Sequence, residues 1–262
     1  MRVISVTAAY SGSAKDMVVL ESILNGLRPV FRDGESTAGE ASGCANREKA
    51  LVTTDYTVTP YRLSFTFGGL LIPETQAVLA LYAQSNDWQT VRQQAVEQGA
   101  LKKTRKSAAL RYFREIRDRL GVAYQWERNA LLHGPQGDCS AILLAVAARY
   151  YRVIGDFLAV VVRDRFHHGP NALESYLLRS FLEEQATSHP QISSLTPSTA
   201  DKLRSVGMRM LREAAIADGP REPYTIVRPR LSAELTERYC RHGSGADLAH
   251  LLFSDKEIAA CQ

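Results

Sequence analysis

Hydrophobic positions recur along most of this chain at intervals of three and four, the period that turns one face of a helix toward a core. The clearest case lies over 105–120, where Ala109, Phe113, Ile116 and Leu120 are spaced 4, 3 and 4 apart. Thr104 stands before it as a candidate cap and Gly121 after it as a stop. A second stripe, Leu203, Val206, Met210 and Ala214, predicts a helix from Ser198 to about Ala217. Its start reads as the capping box Ser198-x-x-Asp201, and Gly219-Pro220 ends it. Further helices are predicted over 74–84 behind Pro73, over 88–98 behind a capping Asp87, and over 124–132, 139–150, 153–166, 172–186, 233–241 and 246–253. His133-Gly134-Pro135, His168-Gly169-Pro170 and the stretch 189–197 read as turns. The one convincing strand is Tyr224-Thr225-Ile226-Val227; Pro229 confines any pairing beyond it to an edge.

The pattern predicts an all-α protein, a compact helical chain with two helix-turn-helix elements and a small β ribbon after the second. It divides into an N-terminal helical region over 57–135 and a C-terminal region over 136–262 with a winged-helix-like element. Residues 1–56 differ. The stretch 33–49 is rich in Gly, Ser, Ala and Glu, too poor in apolar surface to offset its ordering entropy. Only 17–27 has the apolar content of a helix. This extension is expected to pack poorly, and Val52, which a GTG codon would encode, offers an alternative start.

Charge sharpens the picture. The 262 residues carry a net +4, but residues 1–60 hold 6 Lys/Arg against 7 Asp/Glu, leaving 26 and 21 for the remainder. The positive excess therefore belongs to the helical part, which suits an anionic partner. Cys44, Cys139, Cys240 and Cys261 show no metal-ligand spacing and no disulfide framework. They read as free cysteines of a cytoplasmic protein. The most apolar stretch, 139–162, is interrupted by Arg149, Arg152 and Asp156, too soon for a membrane span of roughly 20 residues.

Two faces carry the candidate chemistry. Between Lys102 and Arg119 there are eight basic residues against Glu115 and Asp118. Lys103, Ser107, Arg111 and Arg114 fall opposite the Phe113 stripe, with Arg105 at the helix start. Lys202, Ser205, Arg209 and Arg212, spaced 3, 4 and 3 apart, lie opposite the Leu203 stripe. Cations with a hydroxyl on one face, beside the backbone donors of a helix N-terminus, are what phosphate binding needs. Arg228 and Arg230, after the strand, extend the second face as a winged-helix ribbon would. Either face alone is commonly just a solvated surface; two such helices, each after a helix and a turn, point to double-stranded DNA. Trp88, Trp126 and Tyr112, Tyr124, Tyr150 and Tyr151 offer base stacking, but at helical spacing among apolar residues they read as core.

Catalytic signals are missing from the sequence. His167-His168 reads as a helix-end pair, His133 and His189 as turn residues, and Cys139 as core. Gly243-Ser244-Gly245 follows no strand and lacks the spacing of a nucleotide loop. No nucleophile elbow, Walker lysine or zinc-protease motif occurs. The expectation is a non-enzyme with no cofactor, no metal, no membrane and no small-molecule substrate.

Several blocks resemble the BrxA family of BREX phage-resistance systems. They are the run from Tyr61 to Leu71, Ser107-Ala108-Ala109-Leu110-Arg111, Phe181-Leu182-Glu183-Glu184 with Ser188-His189-Pro190, and Ser198 to Leu203 continued by Met210 to Ala214. The resemblance covers about 57–235 and leaves 1–56 outside. It implies a mostly helical, NusB-like fold with helix-turn-helix elements, a link to DNA, and a place among other BREX proteins without being their methyltransferase. It transfers no catalytic residue. A protein-interaction scaffold and an RNA-binding, NusB-like factor stay open as alternatives.

Overall fold

A computed structural model describes residues 60–261, so the expectations for 1–56, for Val52 and for Cys44 lie outside the described residues. The chain enters through an extended segment, 60–71, and then builds helices: α1 (Ile72–Ser85), α2 (Trp88–Arg92, continued by a π-helical turn Gln93–Glu97), α3 (Lys106–Leu120) and α4 (Gln125–His133). Next come α5 (Cys139–Tyr150) and α6 (Arg152–Asp156), which runs through the π-helical segment Phe157–Val162 into α7 (Arg163–His167). Then follow β1 (Ala172–Leu173), α8 (Ser175–Gln185), α9 (Pro190–Ser193), α10 (Pro197–Glu213), β2 (Ala217–Asp218), β3 (Tyr224–Ile226), α11 (Ala233–His242), α12 (Gly245–His250) and α13 (Asp255–Cys261). The mostly helical class is as the pattern predicted.

Helix α5 explains the architecture. Cys139 and every residue from Ala141 to Ala148 are buried, and a helix apolar all round must be wrapped by others. Both basic helices, α3 and α10, pack on it. The predicted stripes face inward: Ala109, Phe113, Ile116 and Leu120 from α3, and Leu203, Val206 and Met210 from α10 with Ala214 just past its end, are all buried. One apolar core runs from Tyr61 to Phe253, through both predicted halves of the helical part.

Local starts and stops correct the sequence reading in places. Asp87 does cap α2, accepting from the amides of Gln89 and Thr90. Helix α10, however, begins at Pro197, and its cap is Thr196, which accepts from the Thr199 amide at 3.3 Å; Ser198-x-x-Asp201 is not the box. No side chain caps α3, and Thr104 lies before its flanking residue, Arg105. Residues 172–186 are not one helix: Ala172 and Leu173 pair with Thr225 and Tyr224. Strand β3 is therefore the centre of a three-stranded antiparallel sheet, order β1-β3-β2, and not a free ribbon. Cys240 and Cys261 form a disulfide joining α11 to α13, which overturns the reading of these two as free; Cys139 is free and buried.

Charges are also buried, always in company. Glu127 and Asp247, both 0% exposed, flank Arg149, which pairs with Glu127 and lies 2.9 Å from Asp247 Oδ1. The Tyr239 hydroxyl donates to Glu127 at 2.8 Å, and the Tyr124 hydroxyl to Asp247 at 3.0 Å. Burial pushes the Glu127 carboxyl up despite Arg149 beside it, and drives the Tyr239 phenol far above its ordinary range. Breaking such a buried set from one side costs about 3–5 kcal/mol, because it strands a charge.

Candidate nucleic-acid interface

Burying the Phe113 stripe of α3 forces the opposite face outward: Ser107, Arg111 and Arg114 are exposed, as is Arg105 at its start. Burying the Leu203 stripe of α10 does the same for Lys202, Ser205, Arg209 and Arg212. Lys103 departs from the expectation. It lies before the helix, half-buried, with its ammonium 2.7 Å from Glu74 and 4.0 Å from the Tyr112 ring centre. It therefore supports the fold of α1 on α3 more than it offers a free cation.

The two faces meet over a short strap, 66–70, of the entering segment. From α3, Arg111 donates to Thr66 Oγ1 at 3.0 Å, and its guanidinium lies 3.8 Å over the Phe67 ring. From α10, Arg209 donates to the Gly68 carbonyl at 3.4 Å. Those acceptors are two residues apart, so the two guanidinium groups grip the chain within about 7 Å of backbone. Behind them the same helices hold the strap again. Arg119, two turns below Arg111, donates to the Gly69 carbonyl at 2.7 Å, while its Nε lies 2.7 Å from Glu115. Glu213, one turn beyond Arg209, accepts the Leu70 amide at 2.6 Å.

Glycine is required at both middle positions of the strap. Gly68 has φ +69°, the left-handed region, and a Cβ there would also meet Leu71 Cδ2 at 2.6 Å. At Gly69 a Cβ would overlap both carboxylate oxygens of Glu213. The Gly-Gly pair before Pro73 was the visible trace of this arrangement, but Thr66, Glu213 and the inward role of Arg119 were missed. Glu115 accepts from the Tyr151 hydroxyl as well as from Arg119, so the strap rests on a buried polar cluster. Burial pushes the Tyr151 phenol up.

The sheet adjoins the α10 face. The Arg212 guanidinium lies 5.3 Å from the ring of Tyr224 on β3, and an open concavity is lined by Arg209, Arg212, Glu213, Ala217 and Asp218. The ribbon reading of Arg228 does not hold in its simple form. Arg228 turns back onto Glu257 with two hydrogen bonds of 2.7 and 2.8 Å, between the Phe253 and Phe166 rings. That guanidinium holds the Glu257 carboxyl down at about 2. Arg230, two residues on, is exposed.

The aromatic residues are structural, as their spacing suggested. Tyr151 is buried, Trp88 stacks on Tyr82, and Tyr112 packs on Phe67. His167 faces the Leu252 carbonyl and His168 faces Asp164. Among the described residues no group of His, Cys, Asp and Glu has the arrangement of a metal site, and no helix is long and apolar enough to cross a membrane.

Comparison with known proteins fits this geometry. The chain is 27% identical over 154 residues, 59% of its own length and 72% of the relative's, to the BREX protein BrxA of Escherichia coli O9:H4 (strain HS). Its fold is similar to the crystal structure of an uncharacterized protein from Magnetospirillum magneticum, with a TM-score of 0.64 at 21% identity, covering 74% of this chain and 98% of that one. The family model BrxA matches residues 59–242, which take in the strap and both basic helices, so the chain belongs to the BrxA family.

Proposed function

We propose that this chain is a non-catalytic, double-stranded DNA-binding component of a BREX phage-defence system. It works alongside other BREX proteins and holds mainly the phosphate backbone. The observation that carries the reading is that two helices sharing one strap each present several exposed cations without a carboxylate partner, although Lys106 and Arg117 of α3 are paired with Glu97 and Asp118. Arg163, Arg204, Arg228 and Arg238 pair with carboxylates. Among the described residues no carboxylate pairs with Arg105, Arg111, Arg114, Lys202, Arg209 or Arg212, and these lie on two helices that share one strap. When such cations neutralise phosphates, the counterions condensed on the nucleic acid are released, which drives association. Phosphate contacts position a protein without reading sequence, so weak sequence preference follows.

The test is a fluorescence-anisotropy titration of the full chain with a 30-base-pair duplex at three salt concentrations. With about four to eight phosphates neutralised, the log–log salt slope is expected near −4 to −7. No binding at low salt overturns the reading. A matched RNA duplex, run alongside, separates the NusB-like alternative, since the 2′-hydroxyl distinguishes the two. A second reading, contact with another protein of the system, draws on a groove between α8, α9 and α10. Leu182, Ala186, Ile192 and Leu195 line it, with Arg179 and Asp201 at the rim. A pull-down of other BREX proteins that survives nuclease treatment supports that reading; loss with nuclease removes it.

A further inference from the structure

A carboxylate on a phosphate-binding face is an anomaly, because it repels the ligand. Glu213 is exposed, follows Arg212 directly and stands one helical turn from Arg209. It nonetheless makes the shortest of the contacts that hold the strap, accepting the Leu70 amide at 2.6 Å. An ionised acceptor on a backbone amide is among the stronger hydrogen bonds a protein makes. The room for that contact exists only because Gly69 carries no side chain.

The four grips alternate between the helices. Thr66 is held from α3, Gly68 from α10, Gly69 from α3 and Leu70 from α10. Helices α3 and α10 both lie on α5, and the strap, half-buried over 66–68 and buried at Gly69 and Leu70, joins one cationic face to the other. Arg119, buried, secures the α3 side of that link. On the α10 side the Arg209 contact is long, at 3.4 Å, so Glu213 makes the firmer of the two polar contacts there, beside the buried Leu70 side chain.

We infer that Glu213 is a positioning residue for DNA binding: by holding the Leu70 amide it fixes the strap against α10 and sets the separation of the Arg111 and Arg209 guanidinium groups. This inference rests on the DNA reading above. Phosphates along a duplex have fixed spacing, so guanidinium groups held at one separation can engage two of them together, whereas side chains whose strap acceptors shift engage them independently and lose orientation on binding.

The experiment compares the full-length protein with Glu213→Ala and Glu213→Gln in the same anisotropy titration, with the thermal midpoint of each variant recorded. Electrostatics alone predicts that both variants bind DNA more tightly, since each removes a negative charge from the face. Positioning predicts the opposite sign for alanine: affinity weakened by about three- to tenfold, with a salt slope shallower by about 1 to 2 as phosphate contacts drop out. Glutamine keeps an oxygen acceptor for Leu70 and is expected to bind close to the unaltered protein. Hydrogen exchange at the Leu70 amide, read without DNA, is expected to quicken in Glu213→Ala and to change little in Glu213→Gln. Tighter or equal binding by Glu213→Ala with an unchanged slope overturns the inference, as does equal weakening by both variants. Failure of the unaltered protein to bind overturns the DNA reading itself, and the positioning role with it.

Discussion

Arg111 and Arg119 lie two turns apart on the same helix and lead opposite lives. Arg119 is buried, shared between Glu115 and the Gly69 carbonyl. Arg111 is exposed, touching only a hydroxyl, an aromatic face and solvent. The contrast extends through the molecule: Arg149 sits between two fully buried carboxylates, while Arg209 and Arg212 stand open on α10. What separates the two populations is the company each charge keeps, and composition alone cannot report it. A buried cation must be paired and serves the fold. An exposed one without a carboxylate contributes little to stability and remains available to a ligand.

The largest test of this division is Arg149→Met. It strands Glu127 and Asp247 in the core, and urea unfolding is expected to show a loss of about 3–5 kcal/mol. DNA affinity of the folded fraction should stay as it was; a matching loss of affinity would merge the two populations. Next comes the double reversal Arg111→Glu with Arg114→Glu. Duplex binding should weaken at least about tenfold for all sequences, with a slope shallower by about 2. Its unfolding free energy should fall by no more than about 1–2 kcal/mol, the loss of one exposed hydrogen bond and one cation–π contact of Arg111. Unchanged affinity would remove α3 from the interface.

Smaller effects sharpen the boundary. Arg228→Ala removes a part-exposed pair with Glu257 and is expected to cost at most about 1 kcal/mol in urea unfolding, with DNA binding unaltered. Weakened DNA binding in that variant would restore Arg228 to the interface. The smallest effect is the pH dependence of the same pair. Glu257 is held at about 2 against an ordinary 4.5, so its contribution is present in full above about 4.5 and fades as pH falls toward 2. The difference in thermal midpoint between the unaltered protein and Arg228→Ala should therefore shrink across that window. A difference that stayed constant would mean that the ion pair contributes nothing.

Local pattern revealed the helices and their exposed faces. The stripe of α3 and the stripe of α10 are repeats within one helix, so sequence spacing carries them completely. Pro197, placed by pattern in the turn 189–197, is the first residue of α10, a position that proline favours. Long-range partners left no such trace. Gly68 meets Arg209 across 141 residues, Leu70 meets Glu213 across 143, and Arg228 meets Glu257 across 29. Ala172 and Leu173 are good helix formers that became a strand only because β3 lies beside them. The disulfide likewise joins cysteines 21 residues apart that share no motif.

The strap also has a consequence for synthesis. Residues 66–70 leave the ribosome long before α10, and at about 5–20 residues per second the 143 positions between Leu70 and Glu213 take roughly 7–30 s to translate. During that interval a nascent chain has its first cationic helix without the second or its anchor. Under the DNA-binding reading proposed above, a product terminated before α10 would have only one of the two cationic faces and no anchor for the strap.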